Sequence, residues 1–461
     1  MPVLIGPDLT FADVIAVARH DEPVEVSEQA LTAVDRAADH VAQLADDVVP
    51  HYGISTGFGA LASKRVPVEQ RAILQHSLIR SHAASTGTEV EREVIRAMML
   101  LRLKTMASGH TGVRREVVLG YAAMLNAGIT PITGEYGSLG CSGDLAPLAH
   151  AALALTGEGI VRDKAGTQMP AAEALAAAGL EPITLREKEG LALINGTDGM
   201  LGQLILALTD LNTLVTTADL TTAMTVQALC GIDAVFAPDL QALRPHEGQK
   251  LSAANIAALL KDSPLIQAGK SEESKRVQDA YSLRCAPQVT GAVRDTMAHA
   301  AHVAQVELVS AIDNPAVTDD LRVESNGNFH GAPVAYVLDF LAIAVADLAS
   351  MSERRTDRML DPARSRGLNA FLANDPGVDS GYMIAQYTQA SIVSELKRLA
   401  VPASADSIPT SAMQEDHVSL GWSAARKLRR AVDGLGKVLG VEALTAARAI
   451  DMRGIGASEP V

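Results

Sequence analysis

The sequence is short of several residue classes, and each shortage removes a class of function. Its 461 residues include only three cysteines, Cys141, Cys230 and Cys285, far apart and in no CxxC pair. That spacing gives neither a disulfide framework nor a zinc knuckle. Basic residues number 39 against 54 acidic ones, a net charge of −15. Nucleic acid and anionic membrane both call for the opposite sign, so neither is an expected partner. No run of about 18 uncharged apolar residues occurs, and no membrane span is expected. The opening MPVLIGPDLTFADV carries Asp8 early and has no basic region, unlike a secretion signal. These shortages describe an acidic, soluble, cytoplasmic protein.

What is present is aliphatic. Apolar residues are 48% of the chain while aromatics are 3%. Alanine and leucine favour helix, so the fold class expected is mainly α, with a long central helical bundle. Residues 1–110 read as a mixed N-terminal domain, in which helical stretches such as Ser27–Asp47 alternate with Gly-rich segments. Residues 111–461 read as a long-helix bundle domain. Met200–Ala228 is apolar almost all round. Ala332–Met359 repeats Val334, Val337, Leu338, Leu341, Val345 and Leu348 at helical steps, and Val418–Ile450 does the same from Leu420 to Leu439. The Arg-Lys-Leu-Arg-Arg segment in the last of these reads as a solvated face. Polar clusters fall between the helices, where a bundle builds a site on rigid supports.

The most informative stretch runs from Gly137 to His150, Gly-Ser-Leu-Gly-Cys-Ser-Gly-Asp-Leu-Ala-Pro-Leu-Ala-His. A tight turn leads into a helix, with Asp144 placed to cap it and Pro147 in its first turns. A phosphate loop would need GxxxxGK[ST], and no lysine follows. A hydrolase elbow would need GxSxG, and Ser142 lacks the second spacer. Backbone cyclisation fits: the Gly143 nitrogen attacks the Cys141 carbonyl carbon, and Ser142 then loses water to leave an exocyclic methylene. An ordinary turn before a helix is the competing reading. Gly57-Phe58-Gly59-Ala60-Leu61-Ala62 imitates a dinucleotide fingerprint, but no apolar strand precedes it. His299, His302 and Glu307 have permissive metal-ligand spacing, common by chance, and no metal site is expected. Gln278, Tyr281 and Arg284 are spaced for one side of a helical turn, either as a surface cluster or as a site.

The Gly137–His150 run resembles the ammonia-lyase family that carries a methylidene-imidazolone (MIO) prosthetic group, and the resemblance extends over nearly the whole chain. That family's cyclising tripeptide is usually Ala-Ser-Gly; here Cys141 stands first, with its side chain outside the new ring. The resemblance implies a bundle of the aspartase/fumarase-like kind, although the GSSxMPxKxN loop of those relatives is absent here. It implies an autocatalytic MIO made from Cys141, Ser142 and Gly143, with no external cofactor and no metal. It makes Tyr52, in Tyr52–Gly59, the general base. Ser81-His82 and the Gln414-Glu415-Asp416-His417 run look like those of members acting on histidine, so L-histidine is the implied substrate, with trans-urocanate and ammonia as products. A glutamate suits an imidazole, since it accepts a ring N–H.

The remaining roles come from the same resemblance. Arg284 would hold the substrate carboxylate, a bidentate task suited to guanidinium. Asn195 would bond the prosthetic group, and Tyr281, Gln278, Phe329 and Met383 would complete the catalytic pocket. A phenol near pKa 10 needs positive charge to act as a base, from helix N-termini and Arg284. The family implies a homotetramer with active sites shared between chains. Relatives usually continue several turns beyond Val461, so the C-terminal end is expected to be short. Other readings are a tyrosine or phenylalanine ammonia-lyase, an aminomutase, or a non-catalytic bundle protein.

Overall fold

Alanine, leucine and well-placed caps turn most of this chain into helix. The computed structural model describes residues 2–271 and 276–460, which are 59% helical, with seventeen α-helices among them. Thr10 and Asp13 form a capping box on Phe11–His20. Ser27 caps Glu28–Ala45 by accepting from the Ala30 N–H at 3.1 Å. Such caps satisfy donors that a helix start leaves without partners.

The expected long helices form: Asp198–Ala228, Ala332–Leu360 and Gly421–Arg453, with 31, 29 and 33 residues. Ala286–Val309 adds a fourth of 24 residues. Val334, Val337, Leu338, Leu341, Val345 and Leu348 are all buried, as their spacing predicts. Asp198–Ala228 and Ala332–Leu360 are long and apolar enough to cross a membrane, yet most of each apolar window is buried within the protein. One expectation fails. The Arg426–Arg430 segment is not a solvated face, because Arg426 pairs with Glu91, Lys427 with Asp339 and Arg429 with Asp210. Only Arg430 of the five is exposed. Charge pairing here overrides what polarity alone suggests.

The chain packs as two compact units. The first comprises Met1–Leu206, His302–Tyr336 and Ala403–Arg426; the second comprises Ala207–Ala301, Val337–Pro402 and Lys427–Val461. Among the described residues every strand lies in the first unit, and all are short. Val3–Ile5 pairs in parallel with Val24–Val26, and Thr86–Glu89 pairs antiparallel with Gly134–Tyr136. The first unit also holds both Gly-rich loops, Tyr52–Gly59 and Gly137–Gly143.

The second unit is helical. Its core joins Val226, Phe236, Ile256, Leu360 and Ala446. A fully buried ion pair crosses that core: Arg355 Nε donates to Glu442 Oε1 at 2.5 Å. Thr221, Thr225 and Ser352 hydroxyls donate to the same carboxylate at 3.0, 2.9 and 2.6 Å. With its lone pairs satisfied in this way, a buried carboxylate can be tolerated.

Candidate active site

The Gly-rich turn is held in a conformation that only glycine permits. Gly140 and Gly143 have φ of +78° and +80°, in the left-handed region. Backbone bridges join Gly140 to Gly143, Cys141 to Gly143 and Gly143 to Gly196. A Cβ on Gly143 would fall 2.0 Å from the Gly196 carbonyl oxygen. The Asp144 N–H donates to that same oxygen at 2.7 Å. Leu145–Leu155 follows directly, with Pro147 in its first turn.

Asp144 behaves differently from the expectation. Its side chain makes no cap on its own helix. It instead accepts the Met200 N–H at 2.8 Å, in the first turn of Asp198–Ala228, and takes the Ser138 hydroxyl at 3.1 Å. Sequence proximity favoured the nearer helix; folding brought a second helix start to the carboxylate. Burial pushes the Asp144 carboxyl up to about 7, although these bonds oppose the shift.

Ser142 lines a cavity of about 140 Å³ together with Tyr52, His82, Asn195 and Glu415. Phe58, Leu78, Leu145 and Leu191 supply its apolar walls. Five separate segments, around Tyr52, His82, Ser142, Asn195 and Glu415, therefore meet where the sequence spaced them far apart. Tyr52 accepts the Gly59 N–H at 3.4 Å and meets Phe58 edge-on, with ring centres 6.5 Å apart. His82 ends Arg71–His82, its Nδ1 2.8 Å from the Leu78 carbonyl. Glu415 is oriented by the Thr410 hydroxyl, which donates to Oε2 at 2.8 Å. Asn195 is buried; its Nδ2 donates to the Asn314 carbonyl at 2.7 Å, and its Oδ1 has no hydrogen-bond partner among the described residues. Cys141 and Gly143 line a neighbouring cavity of about 220 Å³, which His82 also borders.

The electrostatics of Tyr52 run against the expected help. Burial raises its hydroxyl above the ordinary phenol value, and the negative field of Glu415 adds to that, while the Gly59 N–H opposes it. Among the described residues no lysine or arginine lines the cavity. Burial likewise pushes the Cys141 thiol up to about 12, with Glu415 contributing.

The other expected residues lie elsewhere. Gln278, Tyr281, Arg284 and Met383 belong to the second unit. Gln278 is exposed and precedes the short helix Tyr281–Arg284, so it is not on a shared helical turn. The Arg284 guanidinium lies 4.6 Å from the centre of the Tyr281 ring, a cation–π pair. Met383 opens Met383–Leu399 and is half-buried. Phe329 is in the first unit, half-buried, and is not among the residues lining the cavity. Among the described residues no group of three or more His, Cys, Asp or Glu side chains is placed to hold a metal. Glu307 faces the Thr197 hydroxyl at 3.4 Å.

A model of the family described as aromatic amino acid lyase matches residues 9–460. This chain belongs to the aromatic amino acid lyase family. Within that family it is 63% identical to the histidine ammonia-lyase of Streptomyces coelicolor, over 98% of this chain and 88% of the relative. It is 50% identical to that of Gloeobacter violaceus over the same shares of each. Among solved lyase-family structures, a histidine ammonia-lyase from Trypanosoma cruzi superposes with a TM-score of 0.91 at 39% identity, covering 100% of this chain and 87% of that one. A tyrosine aminomutase from Streptomyces globisporus gives 0.92 at 38%, covering 98% and 89%. The lyase fold is thus the same across members named for different reactions, and the cavity must carry the distinction.

The turn fits the backbone-derived ring implied for these lyases. Gly143 has no side chain to obstruct attack by its nitrogen, its left-handed φ closes the turn, and Asn195, whose buried Oδ1 has no hydrogen-bond partner among the described residues, lines the same cavity as Ser142. Sequence reasoning missed Asn314 and Ser411, which also line the cavity. Ser411 stands close upstream of Glu415, a signal that was available. Asn314 had none beyond its place in Asp313-Asn314-Pro315, and only the tertiary bond to Asn195 reveals it.

Proposed function

We propose that this chain converts L-histidine to trans-urocanate and ammonia without oxidation, working as a cytoplasmic homotetramer. The observation that carries the reading is the placement of Ser142, in a glycine-only turn, on one cavity with Tyr52, His82, Asn195 and Glu415. The names of the relatives at 63% identity support histidine over tyrosine or phenylalanine.

In this reading the Gly143 nitrogen bonds to the Cys141 carbonyl carbon, whose oxygen leaves as water. Ser142 then gives up its hydroxyl and its α-proton as a second water. The resulting methylidene-imidazolone supplies an electrophile for the substrate amine and so improves a poor leaving group. Glu415 and His82 hold the imidazole, which requires acceptors and donors at its two ring nitrogens. Tyr52 takes the β-proton. Burial and Glu415 make its hydroxyl harder to ionise in a single chain, so the reading calls for cationic groups from outside the cavity wall. Arg284 is the proposed source, arriving from another copy to bind the substrate carboxylate, with Tyr281, Gln278, Phe329 and Met383 completing the pocket. An exposed apolar stripe supports assembly: Tyr336, Phe340 and Ile343, at helical spacing on Ala332–Leu360, are 59%, 49% and 46% exposed.

The test is Ser142→Ala. Urocanate formation should fall by roughly 10³-fold or more, and the protein should lose one site of dehydration by intact mass. Full activity in that variant would refute the proposal. Cinnamate or coumarate as the main product of the unaltered protein would move the assignment to an aromatic lyase. An intact mass with both waters retained would favour a non-catalytic bundle.

A further inference from the structure

Two glycines and a buried arginine stack behind the cyclising turn. Gly143 is bridged to Gly196, and there is no room for a side chain between them. On its other side Gly196 is also confined: a Cβ there would stand 2.6 Å from Asp198 Oδ2 and 2.9 Å from both Nη1 and Nη2 of Arg102. The Gly196 backbone therefore fills the space between the turn and the guanidinium.

Arg102 is carried by Arg92–Ala107 and is fully buried. Its Nη1 donates to the Asn195 carbonyl at 2.9 Å and to the Ala192 carbonyl at 3.3 Å. Its Nη2 donates to the Ile312 carbonyl at 2.7 Å, and its Nε faces Asp198 Oδ2 at 3.4 Å. One planar fork thus gathers two segments, the one that presents Asn195 and Gly196 and the one that presents Asn314. The Asn195 amide closes the loop of ties by donating to the Asn314 carbonyl at 2.7 Å. A lysine ammonium concentrates its donors at one point on a flexible stem and cannot span these carbonyls.

We infer that Arg102 is a positioning residue for the backbone cyclisation at Cys141-Ser142-Gly143, holding Gly196 against Gly143 and setting Asn195 on the cavity wall. Arg102 does not touch the reacting atoms; it acts through Gly196. The inference rests on the proposed reading that the turn cyclises. Arg96 offers a matched control. It is equally buried on the same helix, but it donates to the Val17 carbonyl at 3.0 and 2.8 Å and to the Leu125 carbonyl at 3.0 Å, none of which belongs to the cavity.

Arg102→Lys, Arg96→Lys and the unaltered full-length protein are compared by intact mass and by far-ultraviolet circular dichroism. The unaltered protein is expected to be lighter than its encoded mass by two waters; if it is not, the proposed function fails rather than this inference. Arg96→Lys should be dehydrated as well. Arg102→Lys should keep native helix content while its dehydrated fraction drops about tenfold. A fully dehydrated Arg102→Lys overturns the inference, as does an equal loss in Arg96→Lys, since that would be general destabilisation. If Arg102→Lys fails to fold, Gly196→Ala, whose Cβ would crowd the Arg102 guanidinium and its Asp198 partner, probes the same packing from the other side. Folded but uncyclised protein supports the inference, and folded, fully dehydrated protein overturns it.

Discussion

The cavity around Ser142 and the Tyr281–Arg284 helix are built in opposite ways. In the first unit the polar groups are held by hydrogen bonds: Asn195 to the Asn314 carbonyl, His82 to the Leu78 carbonyl, Tyr52 to the Gly59 N–H and Glu415 to the Thr410 hydroxyl. In the second unit Gln278 is exposed, Tyr281 is 69% exposed and Arg284 rests on the Tyr281 ring. Within one chain, the groups proposed for proton transfer and ring binding are preorganised. The group proposed for the carboxylate, Arg284, is half-buried against the Tyr281 ring, and its Nε is buried with no hydrogen-bond partner among the described residues. That contrast is what a site completed by a neighbouring copy would leave behind in an isolated chain.

The largest expected effect breaks or sharpens the contrast directly. Tyr52→Phe and Arg284→Lys should each lower kcat by roughly 10²-fold to 10⁴-fold. If Tyr52 and Arg284 act from different chains, producing the two variants together assembles some intact sites, and urocanate formation should exceed that of either variant alone. A co-produced sample no better than the mean of the two would end the shared-site picture.

Glu415→Gln tests the preorganised side. The amide keeps the shape but loses the charge that an imidazole can use, and kcat/KM for histidine should fall about ten- to a hundredfold. Steady-state assays with histidine and phenylalanine check this: the ratio between them should narrow, and an unchanged ratio would remove Glu415 from ring recognition.

The smallest effect concerns stability. The Asp144 carboxyl titrates near 7 in the folded chain against 3.8 ordinarily. Between those values the native state binds more protons than the unfolded state, so stability falls as pH rises and the loss is complete above about 7. The span corresponds to about 4 kcal/mol at most. Asp144→Asn retains an acceptor for the Met200 N–H and lacks the titration. Its thermal midpoint should gain on that of the unaltered protein steadily from pH about 4 to about 7. Parallel melting curves across that range would show that Asp144 is not the titrating group.

Much of this is legible in the sequence. The helical periods of Ala332–Leu360 and Gly421–Arg453 announced their buried faces, because apolar residues at three- and four-residue steps can be covered only on one side. The Gly137–Gly143 run announced a tight turn, because glycine clusters mark left-handed backbone. The failures share a cause. Asp144 caps the start of Asp198–Ala228, a helix more than fifty residues away in sequence, and Arg426, Lys427 and Arg429 find carboxylates from distant segments. Local polarity suggests exposure or a local cap, and says nothing about which partner folding will deliver.

The sequence by itself determined the helical class, the glycine turn and the residue types that suit an elimination from an amino acid, since all of these follow from local backbone freedom and side-chain chemistry. Only the tertiary structure decided that Tyr52, His82, Asn195 and Glu415 share a cavity with Ser142, and that Arg102 braces Gly196 behind it. Those facts depend on contacts between segments far apart in the chain, and such contacts are selected by packing and by the pairing of buried polar groups.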